Sequence, residues 1–267
     1  MEMRLARLAA ILFLAVSTVG CFQMTTVVKV NGDGGGTIDH TMLVTKAALA
    51  QLRNFSALGG GRGQQIDLTS EDQARAMAET LGPGVAYVSS EPIDTPLGEG
   101  RHAMYAFRDI SQVRISQQPR TDGLPVKVDA GNTGDITCSM TREANGNAIL
   151  HINLPEVSLP SSLGNAGAGN PGFAQQVAMV RSLLAGARVS IGVEPAGQLV
   201  KTSSPYVDGG HVTLLDVNLD QVLGNEALLA RLQTAKTPEE IKAALTDVPG
   251  LKITLDREVT IEFTPAK

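Results

Sequence analysis

The chain is 267 residues long, and 43% of them are hydrophobic, enough for a sizeable core. Only 3% are aromatic and none is tryptophan, so that core must be built from Val, Leu, Ile and Ala. A net charge of −5, with no run of five like charges, argues against nucleic acid as a partner and against a charged tail.

Residues 1–20 read as a secretory signal peptide. Arg4 and Arg7 open it, an apolar run from Leu8 to Val16 comes next, and small residues lead up to Cys21. The run is too short to span a bilayer, which takes about 20 residues. Thr18-Val19-Gly20-Cys21 resembles the lipobox of bacterial lipoproteins, in which the cysteine thiol receives a diacylglycerol and becomes the first residue. On that resemblance Cys21 is the lipid-attachment site, and the membrane is a partner through the anchor. Phe22 stands where aspartate acts as an inner-membrane retention signal in many enteric bacteria. The anchor is therefore expected at the periplasmic face of an outer membrane, if the cell has one. No second apolar stretch of 18 residues occurs, so no transmembrane helix is expected after the anchor.

Residues 21–267 read as one domain. Thr25–Val30 and Thr37–Val44 are rich in Val and Thr, and Asn31-Gly-Asp-Gly-Gly-Gly36 between them predicts a hairpin. A calcium loop is the competing reading, but one Asp among four glycines supplies too few oxygens. Ala48, Leu49 and Leu52 fall at helical spacing within Thr45–Phe55. Gly59-Gly-Gly-Arg-Gly63 lacks the Gly-Lys-Ser/Thr ending of a phosphate-binding loop and reads as a flexible loop. Ser70-Glu-Asp-Gln73 predicts a capped helix that stops at Gly82-Pro83. Gly84–Glu91 and Arg101–Asp109 read as paired strands joined by Pro92–Gly100, with Arg101, Ala103, Tyr105 and Phe107 on one face. Ile110–Ser116 is a short third run.

After a turn-rich stretch over Pro119–Gly134, Asp135–Arg142 and Asn147–Leu154 form a second hairpin around Ala144-Asn-Gly146. Residues 155–172 carry Pro, Ser, Gly, Asn and Ala without periodicity and read as a mobile loop. Phe173, Val177, Val180 and Leu184 mark an amphipathic helix that ends at Gly186. Ala187–Glu194, Gln198–Thr202 and His211–Val217 read as strands, with turns at Pro195-Ala-Gly197 and Asp208-Gly-Gly210. Leu219–Gln233 reads as one helix despite Gly224. Thr237-Pro-Glu-Glu240 caps a last helix that ends near Leu245, and Lys252–Phe263 supplies the final strands, with Val259, Ile261 and Phe263 in strict alternation. Strands in hairpins and helices in separate blocks predict an α+β fold: a mostly antiparallel sheet with several amphipathic helices packed on it.

The chemistry-bearing residues form no signature. His40, His102, His151 and His211 each stand alone in a predicted strand, without metal-ligand spacing, and are expected on exposed faces. Glu91 and Asp109 end neighbouring strands, a usual place for solvated charge. Cys138 alternates with Ile136 and Met140 and reads as a small buried hydrophobe rather than a nucleophile. With Cys21 acylated, no intramolecular disulfide is left to form, so the core alone must hold the fold. Neither Gly-x-Ser-x-Gly nor Ser-x-x-Lys is present. No catalytic residue, metal ligand or cofactor is predicted.

The lipobox followed by Val27-Val-Lys-Val-Asn-Gly-Asp-Gly-Gly-Gly-Thr37 resembles the opening of uncharacterised bacterial lipoproteins, including the LppM-like domain. Gly186-Ala-Arg-Val-Ser-Ile191 and Lys201-Thr-Ser-Ser-Pro-Tyr-Val-Asp-Gly-Gly-His-Val-Thr-Leu214 are similar to that family's late segment, with Ser203-Ser204 where asparagine is usual. The resemblance implies an envelope-facing domain acting at lipids or at the host interface, and no catalytic residue. The expected function is a lipid-anchored envelope protein that binds a lipid or protein partner or gives structural support. A carrier of small apolar ligands and a hydrolase with a site hidden in sequence are the alternatives.

Overall fold

The computed structural model describes residues 22–46, 48–50, 69–96, 98–116, 134–155, 186–235, 237–246 and 248–266. The predicted signal peptide, Cys21, the end of the helix over Thr45–Phe55, the loop at Gly59–Gly63, the turn-rich stretch over Pro119–Gly134 except Gly134, the loop over 155–172 except Pro155, and the helix over 173–185 lie outside these residues.

The first hairpin is where its sequence places it. Strands β1 (Phe22–Val30) and β2 (Gly36–Thr45) pair antiparallel from Phe22↔Val44 to Val30↔Gly36. The turn closes on local bonds: Asn31 N–H donates to the Gly35 carbonyl at 2.8 Å, and Asp33 Oδ1 accepts from Gly35 N–H at 3.0 Å. Gly36 is required by close approach, since a Cβ there would strike the Lys29 carbonyl and the Phe107 ring. Alternation points Met24, Thr26, Val28 and Val30 inward. The other edge of β1 pairs in parallel with β8 (Arg188–Pro195), from Gln23↔Arg188 to Val30↔Pro195. The first described strand is therefore interior to its sheet.

The remaining strands are β3 (Ala86–Asp94), β4 (Gly98–Phe107), β5 (Arg114–Ser116), β6 (Asp135–Arg142), β7 (Ala148–Asn153), β9 (Gly197–Thr202), β10 (Val207–Asp208), β11 (His211–Asn218), β12 (Leu251–Ile253) and β13 (Glu258–Pro265). They make two sheets. One runs β10-β11-β8-β1-β2-β4-β3, with β12 added on β11; the other runs β5-β6-β7-β13-β9. Both contribute to one hydrophobic core: Val28, Ile38, Tyr105 and Ile191 from the first meet Ile136, Leu150, Ile261 and Phe263 from the second. Val259, Ile261 and Phe263, the alternating set at the end of the chain, are each fully buried.

This architecture corrects the expected fold class. The protein is mostly β, two packed sheets, and not an α+β sheet with amphipathic helices laid on it. The difference has a physical origin in β8 and β9. They look like a hairpin around Pro195-Ala-Gly197, yet β8 pairs in the first sheet and β9 in the second, on β13. Neighbours in sequence are not ladder partners here, and the buried sheet face is covered by the second sheet rather than by a layer of helices. Of the helices, α1 (Glu71–Thr80) reaches the shared core through Ala74 and Ala78. Ser70 caps it by accepting from Gln73 N–H.

The later helices, α2 (Leu219–Leu223), α3 (Glu226–Thr234) and α4 (Pro238–Leu245), build a separate small cluster. In it Leu228, Leu232, Ile241, Ala244 and Val248 pack with Leu251 of β12. The helix expected over Leu219–Gln233 breaks at Gly224, which caps α2, and Asn225 starts α3 by accepting from Leu228 N–H at 2.9 Å. Thr237 and Glu240 form the reciprocal capping box read from sequence, with Pro238 in the first turn.

Candidate functional site

Three kinds of side chain stand out in the sequence: the anchor cysteine, the histidines and Cys138. Cys21 lies outside the described residues, but the next residue is placed. Phe22, the first of β1, packs with Val44, Ala48 and Leu49 at one end of the first sheet. Two ion pairs flank that end. Lys46 Nζ lies 3.0 Å from Asp94 Oδ1, and Arg188 holds Asp216 through two bonds of 2.7 Å. The Asp216 bond keeps the Arg188 guanidinium more basic than usual.

All four histidines are in strands; three lie on outward faces as expected, and His40 does not. His40 in β2 is only 6% exposed. It shares the inward parity of Ile38 and Val44, and its Nδ1 is hydrogen-bonded to Thr26 Oγ1 of β1 at 2.9 Å. Burial drives its pKa down to about 4, against an opposing pull from Asp39. The other three are half-buried on outward faces and bonded to carboxylates on neighbouring strands. His102 Nε2 lies 2.7 Å from Asp39 Oδ1, His151 Nδ1 lies 2.6 Å from Glu258 Oε1, and His211 Nδ1 lies 3.0 Å from Glu194 Oε1. Lys29 approaches the same Glu194 at 3.8 Å. The His211 ring lies over Gly192, where a Cβ would collide with it. The glycine makes room for that ring on the sheet surface.

His151 has a second neighbour, Thr141 Oγ1, 3.5 Å from Nε2. Glu258, His151 and Thr141 thus line up as carboxylate, imidazole and hydroxyl across β13, β7 and β6. The order is that of an acyl-transfer triad, but the setting is wrong for one. Among the described residues the three sit on an open sheet face, and the neighbouring backbone is taken up by ladder pairing. An oxyanion needs preorganised free N–H donors aimed at it.

Cys138 is 7% exposed in β6, on the same face as Ile136. Burial pushes its thiol up to about 12, so it is not a thiolate nucleophile. Asp109 is exposed, as expected of a solvated charge, but it lies two residues past the end of β4. It caps the 3₁₀ turn Ile110–Gln112 by accepting from Ser111 N–H at 2.9 Å, which holds its carboxyl below the usual range. Glu91 lies inside β3, opposite His102.

One polar network escapes a reading of the sequence. Tyr87 donates to Glu71 Oε1 at 3.1 Å and is hydrogen-bonded to Ser90 at 2.8 Å. Arg101 donates to Ser90 and to the Thr69 carbonyl, while its Nε is buried with no partner among the described residues. Arg75 donates to Glu71 and stacks 4.4 Å above the Tyr87 ring, which meets Tyr105 edge-on at 6.2 Å. The Arg75 bond, then that of Tyr87, lowers the Glu71 pKa. Glu71 and Arg75 at helical i, i+4 spacing are the readable half of this cluster; the rest comes from β3 and β4. Glu71 supplies the anion its cations need, so the network fastens α1 to the sheet.

Among the described residues no three His, Cys, Asp or Glu side chains converge on a metal-sized site, and no helix is long and apolar enough to cross a membrane. A depression between α2, α3 and the Pro249-Gly250 turn, lined by Asp220, Gln221, Gly224, Asn225 and Glu226 as well as that turn, is open to solvent.

No family model matches the chain, and no curated protein matches it. Among solved structures, the chain has a weak match to the NMR structure of the folded domain of Mycobacterium tuberculosis LppM. The TM-score is 0.30 and the identity 10%, over 74% of this chain and 82% of that one. A likeness of that size says nothing about chemistry.

Proposed function

We propose that this protein is a lipid-anchored component of the cell envelope, acylated on Cys21, whose β domain works by binding a partner or by structural support rather than by catalysis. The observation that carries the reading is the junction itself. A basic start, a short apolar run and Val19-Gly20-Cys21 end directly at Phe22, where the folded domain begins. An export and anchoring signal joined to a domain without a spacer makes attachment to a membrane the chain's most specific feature.

The chemistry of the domain agrees with this reading. Its protonated thiol is buried, its histidines are tied to cross-strand partners, and its two arginines near α1 are engaged by Glu71, Ser90 and backbone. Aliphatic side chains pack between the sheets together with the buried rings of Tyr105, Phe107 and Phe263, which favours recognition on the surface over carriage of an apolar ligand inside. The anchor would hold the protein at the periplasmic face of an outer membrane in a cell that has one.

Metabolic labelling with a clickable fatty acid tests the proposal. Wild type should carry the label and Cys21→Ala should not, and the variant should keep its uncleaved leader. Equal labelling of the two proteins would remove the anchor and with it this function.

A further inference from the structure

The lipid-anchor reading, on which this inference rests, has a geometric consequence. Consecutive Cα atoms are 3.8 Å apart. An acylated Cys21 therefore stands one residue from Phe22, and Phe22 is already paired with Val44 in the sheet. No flexible spacer intervenes. Nor is β1 a peripheral strand able to peel away: β2 holds one side from Phe22 onward and β8 holds the other from Gln23 onward. An acyl chain seated in a bilayer would fix this end of the central strand at the headgroups.

We infer that the Phe22 end of the eight-stranded sheet is a membrane-apposed face, held on a phospholipid surface by the direct junction of anchor and β1. The residues at that end suit the position. Phe22 is a half-buried aromatic side chain, an apolar ring of the kind that interfacial segments bury at the boundary of headgroups and acyl chains. Lys46 and Arg188 stand beside it with exposed side chains, each tied to one carboxylate, Asp94 or Asp216. Headgroup phosphates compete for the same two cations. The opposite end of β1, at Val30, lies about 26 Å away at the rise of a strand. The second sheet attaches there: Arg142 donates to the Gly32 carbonyl, and Ala196 N–H donates to the Val30 carbonyl at 2.7 Å. The faces left for a partner are thus the far end and the flanks, while the Phe22 end is used by lipid.

The test uses the full-length protein purified from its own membrane and placed in vesicles of phosphatidylethanolamine and phosphatidylglycerol. Single-cysteine reporters at Asp94→Cys and Arg188→Cys mark the near end, and Arg108→Cys marks the far one. Cys138 is buried and stays unlabelled in the native state. Intact mass first shows whether Cys21 carries acyl chains. Fluorophores on the reporters are then exposed to a quencher carried on lipid headgroups.

Quenching should be several-fold stronger at Asp94 and Arg188 than at Arg108. A Gly/Ser insert of about 20 residues between Cys21 and Phe22, with a span of roughly 25 Å, should level the three signals while acylation and circular dichroism stay unchanged. Equal quenching at both ends of an acylated protein would overturn the docking geometry and leave the anchor standing. A near-end preference that survives the insert would overturn the role of the short junction. Absence of acyl mass would overturn the anchor and the geometry together.

Discussion

The two sheets and the helical unit α2–α4 are stabilised in different ways. The sheets draw their core from residues far apart in the chain: Val28, Tyr105, Leu150 and Phe263 meet in one cluster. The helical unit draws its own from a short stretch, Leu228 to Leu251, and each of its helices begins with a side-chain cap at Asn218, Asn225 or Thr237. The sheets therefore depend on long-range register, and the helices depend on local signals plus a small satellite core. A fault in the first should unfold everything, and a fault in the second should stay where it is.

The strongest challenge to this contrast is Phe263→Ala. The ring is fully buried where the sheets meet, and removing it should cost about 3–5 kcal/mol. Both units should then unfold in one transition at lower denaturant; helices that persist beyond the sheet transition would break the contrast.

Acid supplies a second probe, aimed at the sheets. His40 has a folded pKa of about 4 against 6.5 for the free side chain, because burial disfavours its charged form. The unfolded chain therefore binds the proton first. Stability is intact above pH 6.5, falls as the pH drops toward 4 and levels off below that. The loss is on the order of 3 kcal/mol. His40→Gln retains a partner for Thr26 and should flatten this part of the stability–pH curve. An unchanged slope would mean that other groups carry the acid sensitivity.

The smallest expected effect belongs to the helices. Thr237→Ala removes the side chain that accepts from Glu240 N–H and should cost about 1 kcal/mol. Hydrogen exchange should quicken in α4 and its packing partners, with the amides of β1, β2 and β4 unchanged. Faster exchange throughout the sheets would show that the two units are not separable.

Local signals make much of this legible. The Asn-Gly and Asp-Gly dipeptides locate the first hairpin, and Ala144-Asn-Gly146 locates that of β6 and β7. Thr237-Pro-Glu-Glu240 locates α4, and the parity of Ile136 places Cys138 inside. The same parity rule applied to β2 puts His40 on the side of Ile38 and Val44, so its burial is readable once register is granted. The division into two sheets is not readable, because Pro195-Ala-Gly197 has the composition of a hairpin turn and nothing in it states that its two strands separate. The pairing of His102 with Asp39 and of His151 with Glu258 is hidden for the same reason, as each joins strands that meet only after the chain has returned from elsewhere.

Ala196 is the whole of the connection between β8 in one sheet and β9 in the other. Its N–H is bound to Val30 on one side, and its carbonyl accepts from Ala266 at 3.0 Å on the other. A joint of one residue, bolted on both sides, has no slack. The sheets cannot swing apart about it as the halves of a clam do, nor slide past each other without breaking those bonds. Force applied along β1 would be passed straight across the joint rather than absorbed by a hinge.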